Sequence, residues 1–340
     1  MSEASFRPNR DETSAMAMDI LRGSLPGRRE GRLRFGEPMD RLSTFRTGGR
    51  ADAVFFPGTE GEVRDALRTC RDAGIPVTIL GNGSNVVVSD AGIRGLVVVF
   101  GPPFASIDIR RTEDGWDEIE AQAGASLAGV ANRCAAAGLT GMEFACGIPG
   151  TIGGAVFMNA GAYDGCMADA VRSTDTLAPD LRPLTIDAAG HRFGYRTSAL
   201  MDGKTVVLRT RLCLRAGNQS RIDARIAELA GRRRQTQPLE FPSAGSVFKR
   251  PQGFFAGKLI SDCGLRGFRI GGAQVSEKHA GFIVNAGNAS ASDIRSLTAH
   301  VISTVLDRMG VRLEPEIRFI GEWSAWENHA GEETGGRIWK

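Results

Sequence analysis

Two short stretches of this chain offer backbone chemistry. Residues 147–165 read GIPGTIGGAVFMNAGAYDG, six glycines in nineteen residues with hardly a charge among them, and residues 81–85 read GNGSN. Glycine costs a helix interior about 1 kcal/mol relative to alanine and weakens strands as well. Such density means that something lies too close to the backbone for side chains. A buried glycine-rich segment lies against a flat ligand or against another backbone. Successive free N–H groups in such a loop form an anion-binding nest, to which Ser84 and Asn85 add side-chain hydrogen bonds. Two such loops could cradle one long anionic ligand from opposite sides.

The elements that must position these loops are legible around them. VTILGNGSNVVVSD (77–90) begins like a dinucleotide fingerprint but departs from it twice. Position 86 is valine where G-x-G-x-x-G needs glycine, and the loop opens a β-branched strand rather than a helix. A helix is predicted from Thr59, with Glu62 completing a capping box. Its apolar face is Val63, Ala66, Leu67 and Cys70, and Gly74 ends it. Ser126 caps a second helix whose face is Leu127, Val130, Ala131 and Cys134, ended by Gly138. Strands are predicted at 77–80, 86–90, 96–100, 116–122 and 205–215. Near residue 216 the pattern shifts. A helix with Ile222, Ile226 and Leu229 in phase, closed by Pro238, enters a second unit. That unit holds GFIVN (281–285), a helix over 291–309 facing inward through Ile294, Leu297, Val301 and Val305, and the strand IRFIG (317–321). The architecture is mixed α and β in at least two domains. Residues 1–19 and 323–340 are expected to be tails.

Composition removes several function classes. A net charge of +3 with scattered arginines argues against nucleic acid. Six cysteines without a C-x-x-C and four scattered histidines argue against a zinc site or a disulfide framework, and fit a reducing cytoplasm. No apolar run is long enough to span a bilayer, and the first twenty residues lack the apolar core of a secretory signal.

Seven blocks occur in order: TFRTGGRADAVFFP (44–57), ILGNGSNVVVSD (79–90), GIPGTIGGAVFMNAGAY (147–163), FGYRTSAL (193–200), PSAGSVFKRP (242–251), AGKLISDCGLRGFRIGGAQVSEKHAGFIVN (256–285) and LEPEIRF (313–319). Over roughly residues 40–320 they resemble the UDP-N-acetylenolpyruvoylglucosamine reductase family, in its branch with a short connection between SVFKRP and AGKLI. The resemblance implies an α+β fold: a two-lobed FAD-binding domain of the vanillyl-alcohol-oxidase/PCMH type over 20–215 and a smaller α+β substrate-binding domain over 216–322. It also implies noncovalent FAD, NADPH as hydride donor and UDP-N-acetylglucosamine enolpyruvate as substrate, in a cytoplasmic monomer that neither enters a membrane nor binds nucleic acid or metal.

The same resemblance assigns residues. Ser246 would donate the proton to C2, Arg196 would pair with the enolpyruvyl carboxylate, and Glu316 would stabilise the enol. FAD would lie against Gly81, Asn82, Gly83, Ser84, Asn85, Ile148, Pro149, Gly150, Gly153, Gly154, Asn159 and Gly161. Arg233, Lys249, His279 and Asn285 would meet the sugar nucleotide. Two other readings compete. Oxidases that hold FAD covalently through a histidine near the first glycine loop are disfavoured, since the first histidine here is His191. A flavin-binding module without catalysis is disfavoured by Arg196, Ser246 and Glu316 all standing in matching blocks.

Overall fold

In the computed structural model, which describes residues 10–26, 30–112 and 115–323, a helix α1 (Arg10–Ser24) precedes everything else. This corrects the expected tail over 1–19 for residues 10–19. Ala17, Met18, Ile20 and the fully buried Leu21 pack into the first core, and burying such a face holds a short helix in place. Residues 1–9, and all but Trp323 of the C-terminal stretch expected as a tail, lie outside the described residues. No helix among the described residues is long and apolar enough to cross a membrane.

Strands β1 (Leu33–Pro38) and β2 (Arg50–Phe55) are antiparallel. Helix α2 (Glu60–Asp72) follows, burying the four residues expected of it. Only half of its capping box forms. Thr59 accepts the Glu62 N–H at 3.1 Å, but the Glu62 carboxylate takes the Gly58 N–H at 2.6 Å and binds Arg32 with both oxygens. The guanidinium draws the side chain away from the Thr59 N–H. Strands β3 (Val77–Leu80), β4 (Val86–Val88) and β5 (Ile93–Val99) come next. The first sheet has the order β1-β2-β5-β3, with β2 and β3 parallel to β5.

A second, antiparallel sheet takes β6 (Ile107–Arg110) and β7 (Trp116–Gln122). After α3 (Leu127–Ala136), capped by Ser126, come β8 (Leu139–Thr140), helix α4 (Ile152–Met158) and the small hairpin β9 (Gly161–Ala162) and β10 (Gly165–Cys166). Strands β11 (Val171–Leu177), β12 (Pro183–Asp187) and β13 (Val206–Ala216) complete the order β12-β11-β13-β7-β6. One buried cluster, running from Leu21 to Leu214, fills both lobes.

Helix α5 (Gln219–Thr236), which opens the second unit in the sequence, lies against α3 and the turn Glu143–Ala145 of the first. The second core gathers Val247, Phe248, Leu259, Ile283 and Leu297 together with Phe45 and Val87 of the first unit. It is built from α6 (Ala256–Asp262), a sheet of β14 (Arg269–Ile270), β15 (Ala273–Val275) and β16 (Ile283–Asn285), and α7 (Ala291–Met309). Asp90 reaches from the first unit to accept the Ala291 and Ser292 N–H groups at 2.8 and 2.9 Å, at the end of α7 that favours an anion. Strand β17 (Arg318–Ile320) then leaves the second unit and pairs in parallel with β4.

Candidate active site

The loop 81–85 joins β3 to β4, strand to strand, as its sequence implies. None of its five backbone N–H groups donates to another group among the described residues, so they are free for an anion. Segment 147–165 departs from the expected loop. Its middle is α4, capped by Thr151, whose Oγ1 accepts the Gly154 N–H at 3.4 Å. Ser84 Oγ donates to Pro149 O at 3.0 Å and ties the two stretches together.

Several of the glycines are required by neighbouring protein. A Cβ on Gly83, where φ is +60°, would overlap the Leu42 carbonyl oxygen, and one on Gly81 would overlap the Thr151 hydroxyl. On Gly153 it would stand 3.1 Å from Ala123 Cβ. Gly154 differs: the nearest atom to an added Cβ is Thr151 Oγ1, at 3.7 Å. Another backbone therefore answers for Gly83, while Gly154 is open.

The second unit brings the acidic and hydroxyl groups to these loops through backbone pairing. Asn85 Nδ2 donates to Glu316 O at 3.1 Å, and Arg318 N donates to Asn85 O at 3.0 Å. Val247 N donates to Gly281 O, and Glu316 N to Val247 O at 2.7 Å. Residues 246–248 thus lie between 281–282 and 315–316, which brings Ser246 and Glu316 to the same cavity. The Ser246 hydroxyl donates to Phe248 O at 3.1 Å. Gly245, with φ +76°, has open space where a side chain would stand.

Arg196 comes from the first unit, in the tight turn 194–197 closed by two Gly194–Thr197 hydrogen bonds. Its φ of +55° is a conformation that non-glycine residues seldom adopt. Its Nη2 donates to Gly161 O at 2.8 Å, and its Nε stands 2.7 Å from Glu316 Oε1. The two form an ion pair at the cavity wall.

Burial raises the Glu316 carboxyl above its ordinary value of 4.5, against the pull of Arg196 and Lys249. A carboxyl raised in the fold contributes stability that is complete below the unfolded value and is lost as pH rises through the folded one. Glu316→Gln, uncharged throughout, should remove that dependence. Its Tm relative to the wild type should hold constant below about pH 4.5 and climb as pH rises above it. Thermal melts from about pH 4 to about pH 8 check this; an offset that does not vary with pH would mean that the carboxyl is not desolvated.

These groups share one cavity of about 590 Å³, within the range of small-molecule sites. Its wall includes Gly81, Asn82, Gly83, Ser84, Asn85, Ile148, Pro149, Gly150, Gly153, Gly154 and Gly161, together with Arg196, Ser246, Glu316, Arg233 and His279. Arg233 Nη1 donates to Gly147 O. His279 Nδ1 accepts the Gly281 N–H at 3.1 Å, which leaves the proton on Nε2, and burial pushes its pKa down.

Three expected residues are not on this wall. Lys249 pairs with Glu314 outside the cavity. Asn285 is used up on Phe45 O and on the Gly287 and Ala289 N–H groups, each at 3.1 Å. Asn159 is buried, its amide donating to Gly194 O and its carbonyl accepting from Ala168 N, both at 2.9 Å. All three are engaged by partners distant in sequence or by turns they cap.

The sequence reading missed Arg318. It lines the cavity with its guanidinium over the Phe157 ring, 5.1 Å from the centroid, and no carboxylate pairs with it among the described residues. Burial pushes its pKa down. A desolvated cation without a counter-charge calls for an anion in the cavity. Its signal was spacing: on an extended segment, residues 316 and 318 point to one face.

Residues 51–211 match a family described as an FAD binding domain, and residues 237–320 match the C-terminal domain of UDP-N-acetylenolpyruvoylglucosamine reductase. A UDP-N-acetylenolpyruvoylglucosamine reductase from Clostridium botulinum (strain Eklund 17B / Type B) is 45% identical over 284 residues, 84% of this chain and 91% of that protein. One from Caldanaerobacter subterraneus is 45% identical over 86% of this chain and 95% of that protein. Among solved structures, the crystal structure of UDP-N-acetylenolpyruvylglucosamine reductase from Thermus caldophilus superposes with a TM-score of 0.69 at 34% identity. It covers 84% of this chain and 97% of that one.

Proposed function

The chain belongs to the UDP-N-acetylenolpyruvoylglucosamine reductase family, and from that premise we propose that it reduces UDP-N-acetylglucosamine enolpyruvate to UDP-N-acetylmuramate for peptidoglycan precursor synthesis. NADPH is the hydride donor and FAD the noncovalent carrier. The observation that carries this reading is one cavity that joins unpaired loop N–H groups to Arg196, Ser246 and Glu316.

The residues present fit FAD. The free N–H groups of 81–85 suit its pyrophosphate, and Gly150, Gly153 and Gly154 line the adjoining wall without side chains. Bound FAD supplies the two-electron chemistry, carrying a hydride from NADPH to C3 of the enolpyruvyl group.

Addition at C3 leaves C2 electron-rich and conjugated with the carboxylate. A proton must therefore reach C2, and negative charge must be met at the carboxylate oxygens. Ser246 Oγ–H holds that proton; a turn about its Cα–Cβ bond takes it from Phe248 O into the cavity. Arg196 presents a planar charged fork to the carboxylate, with the N–H donors not engaged by Gly161 O and Glu316 left for it. Glu316, its carboxyl raised by burial, stands 2.7 Å from Arg196 on the same cavity and would steady the enol as charge develops there. Arg318 adds positive charge to the same wall.

The test is anaerobic. Purified holoenzyme is bleached with NADPH, and the UDP-enolpyruvyl sugar is then added. Prompt return of the oxidised flavin colour is the expected result, and a flavin that stays reduced would overturn the reading. Two glycine variants separate cofactor space from protein space. Gly154→Ala should weaken FAD binding while leaving the Tm of the flavin-free protein within about 1 kcal/mol equivalent of the wild type. Gly83→Ala should lower the flavin-free Tm too, because an alanine there takes a left-handed φ at about 1–2 kcal/mol and meets the Leu42 carbonyl. Flavin titration and apoprotein melts distinguish the two.

A further inference from the structure

Asn159 stands outside the cavity, yet it is buried and hydrogen-bonded through both amide atoms between the end of α4 and the turn that carries Arg196. That turn is strained: Arg196 holds φ +55°, where glycine is the usual occupant. Such a conformation persists only where its surroundings over-determine it. Three bonds from one short run do so here. Phe157 O accepts the Ser198 hydroxyl at 2.7 Å, Asn159 Nδ2 donates to Gly194 O at 2.9 Å, and Gly161 O accepts Arg196 Nη2 at 2.8 Å.

Asn159 itself is left-handed, with φ +43°, and ends α4; its Oδ1 fixes the Ala168 N–H. Its amide is the central bond of the three and the one that reaches the turn's closing carbonyl, Gly194 O, which also accepts Thr197 N. The N-terminal end of the same helix lines the cavity, and Pro149 just before it takes the Ser84 hydroxyl. One rigid segment, 149–161, thus spans from the anion-binding loop to the arginine turn.

We propose that Asn159 is a positioning residue: it holds the 194–197 turn so that Arg196 meets the substrate carboxylate, and it touches neither flavin nor substrate. The proposal rests on the reading of Arg196 as the carboxylate-binding residue. Arg196 must satisfy a two-point geometry, and a displacement of about 1 Å at such a group costs on the order of 10²-fold in rate.

The test is Asn159→Gly in the holoenzyme. Glycine keeps the left-handed cap at little cost and removes both side-chain bonds. Flavin content and the rate of flavin reduction by NADPH should stay near wild type. Reoxidation by the UDP-enolpyruvyl sugar should slow by no more than Arg196→Lys slows it, about 10–10²-fold. Against Arg196→Lys, the double variant should be no slower than the arginine variant alone by more than about twofold, because both changes act on one interaction. A wild-type reoxidation rate in Asn159→Gly, or losses that multiply in the double variant, overturns the proposal while leaving the role of Arg196 intact. Wild-type reoxidation in Arg196→Lys removes that role and the proposal with it. Should Asn159→Gly not fold, Ser198→Ala removes a second bond of the same three. It must show the same loss confined to reoxidation, and an unchanged rate there overturns the proposal.

Discussion

Ser246→Ala should slow flavin reoxidation by the UDP-enolpyruvyl sugar by about 10²–10⁴-fold, the usual contribution of a positioned proton donor. Flavin reduction by NADPH needs no proton delivered to a sugar substrate and should run at near-normal rate. The fold should tolerate the change. The hydroxyl makes one hydrogen bond, to Phe248 O, and losing such a bond costs on the order of 1 kcal/mol. Residues 246–248 stay placed by main-chain bonds to 281–282 and 315–316, which alanine keeps. Anaerobic stopped-flow absorbance reads each half-reaction by itself. Equal slowing of both halves would make Ser246 a structural residue, and slowing of neither would remove it from the site.

Arg196→Lys should keep the positive charge and still lose about 10–10²-fold in the same reoxidation step, the equivalent of about 1.5–3 kcal/mol for a hydrogen bond to a charged group. In the wild type, Nη2 is engaged by Gly161 O, Nε lies beside Glu316 and the remaining N–H donors are left for an anion. A single ammonium cannot serve the Gly161 carbonyl, the Glu316 carboxylate and a substrate carboxylate together. The effect should appear chiefly as a raised KM for the enolpyruvyl sugar with flavin content unchanged. Steady-state kinetics beside a flavin spectrum decide it, and wild-type values would return Arg196 to an ordinary loop arginine.

Where a signal lay within a few residues, the sequence was enough. α2 and α3 formed where cap, apolar period and closing glycine agreed, α7 formed on its apolar period, and the strand over 116–122 matched residue for residue. α4 was missed because Gly153 and Gly154 read as loop, although Thr151 offered a cap in plain sight. α1 was missed because its apolar face is short and gains its stability only from the core it docks on.

The site divides in the same way. The glycine loops, Arg196, Ser246 and Glu316, which line one cavity, each sit in a compact block of neighbouring residues. Whether a given side chain in such a block faces the ligand is a different matter. Asn159 spends its amide on Gly194 O, Lys249 spends its charge on Glu314, and Asn285 caps its own turn. Gly83 is glycine for the sake of Leu42, and nothing in residues 81–85 says so. The sequence by itself therefore determined the elements whose cap and apolar period lie close together, such as α2, α3 and the strand over 116–122, since these follow from spacing and residue type along the chain. Tertiary structure alone decided that Asn85 and Glu316, 231 positions apart, share a hydrogen bond, and that Ser246 and Arg196 open on one cavity. The physical reason is that helix and strand periods are written by near neighbours, whereas the parallel pairing of β4 with β17 depends on two separately built cores burying their faces together.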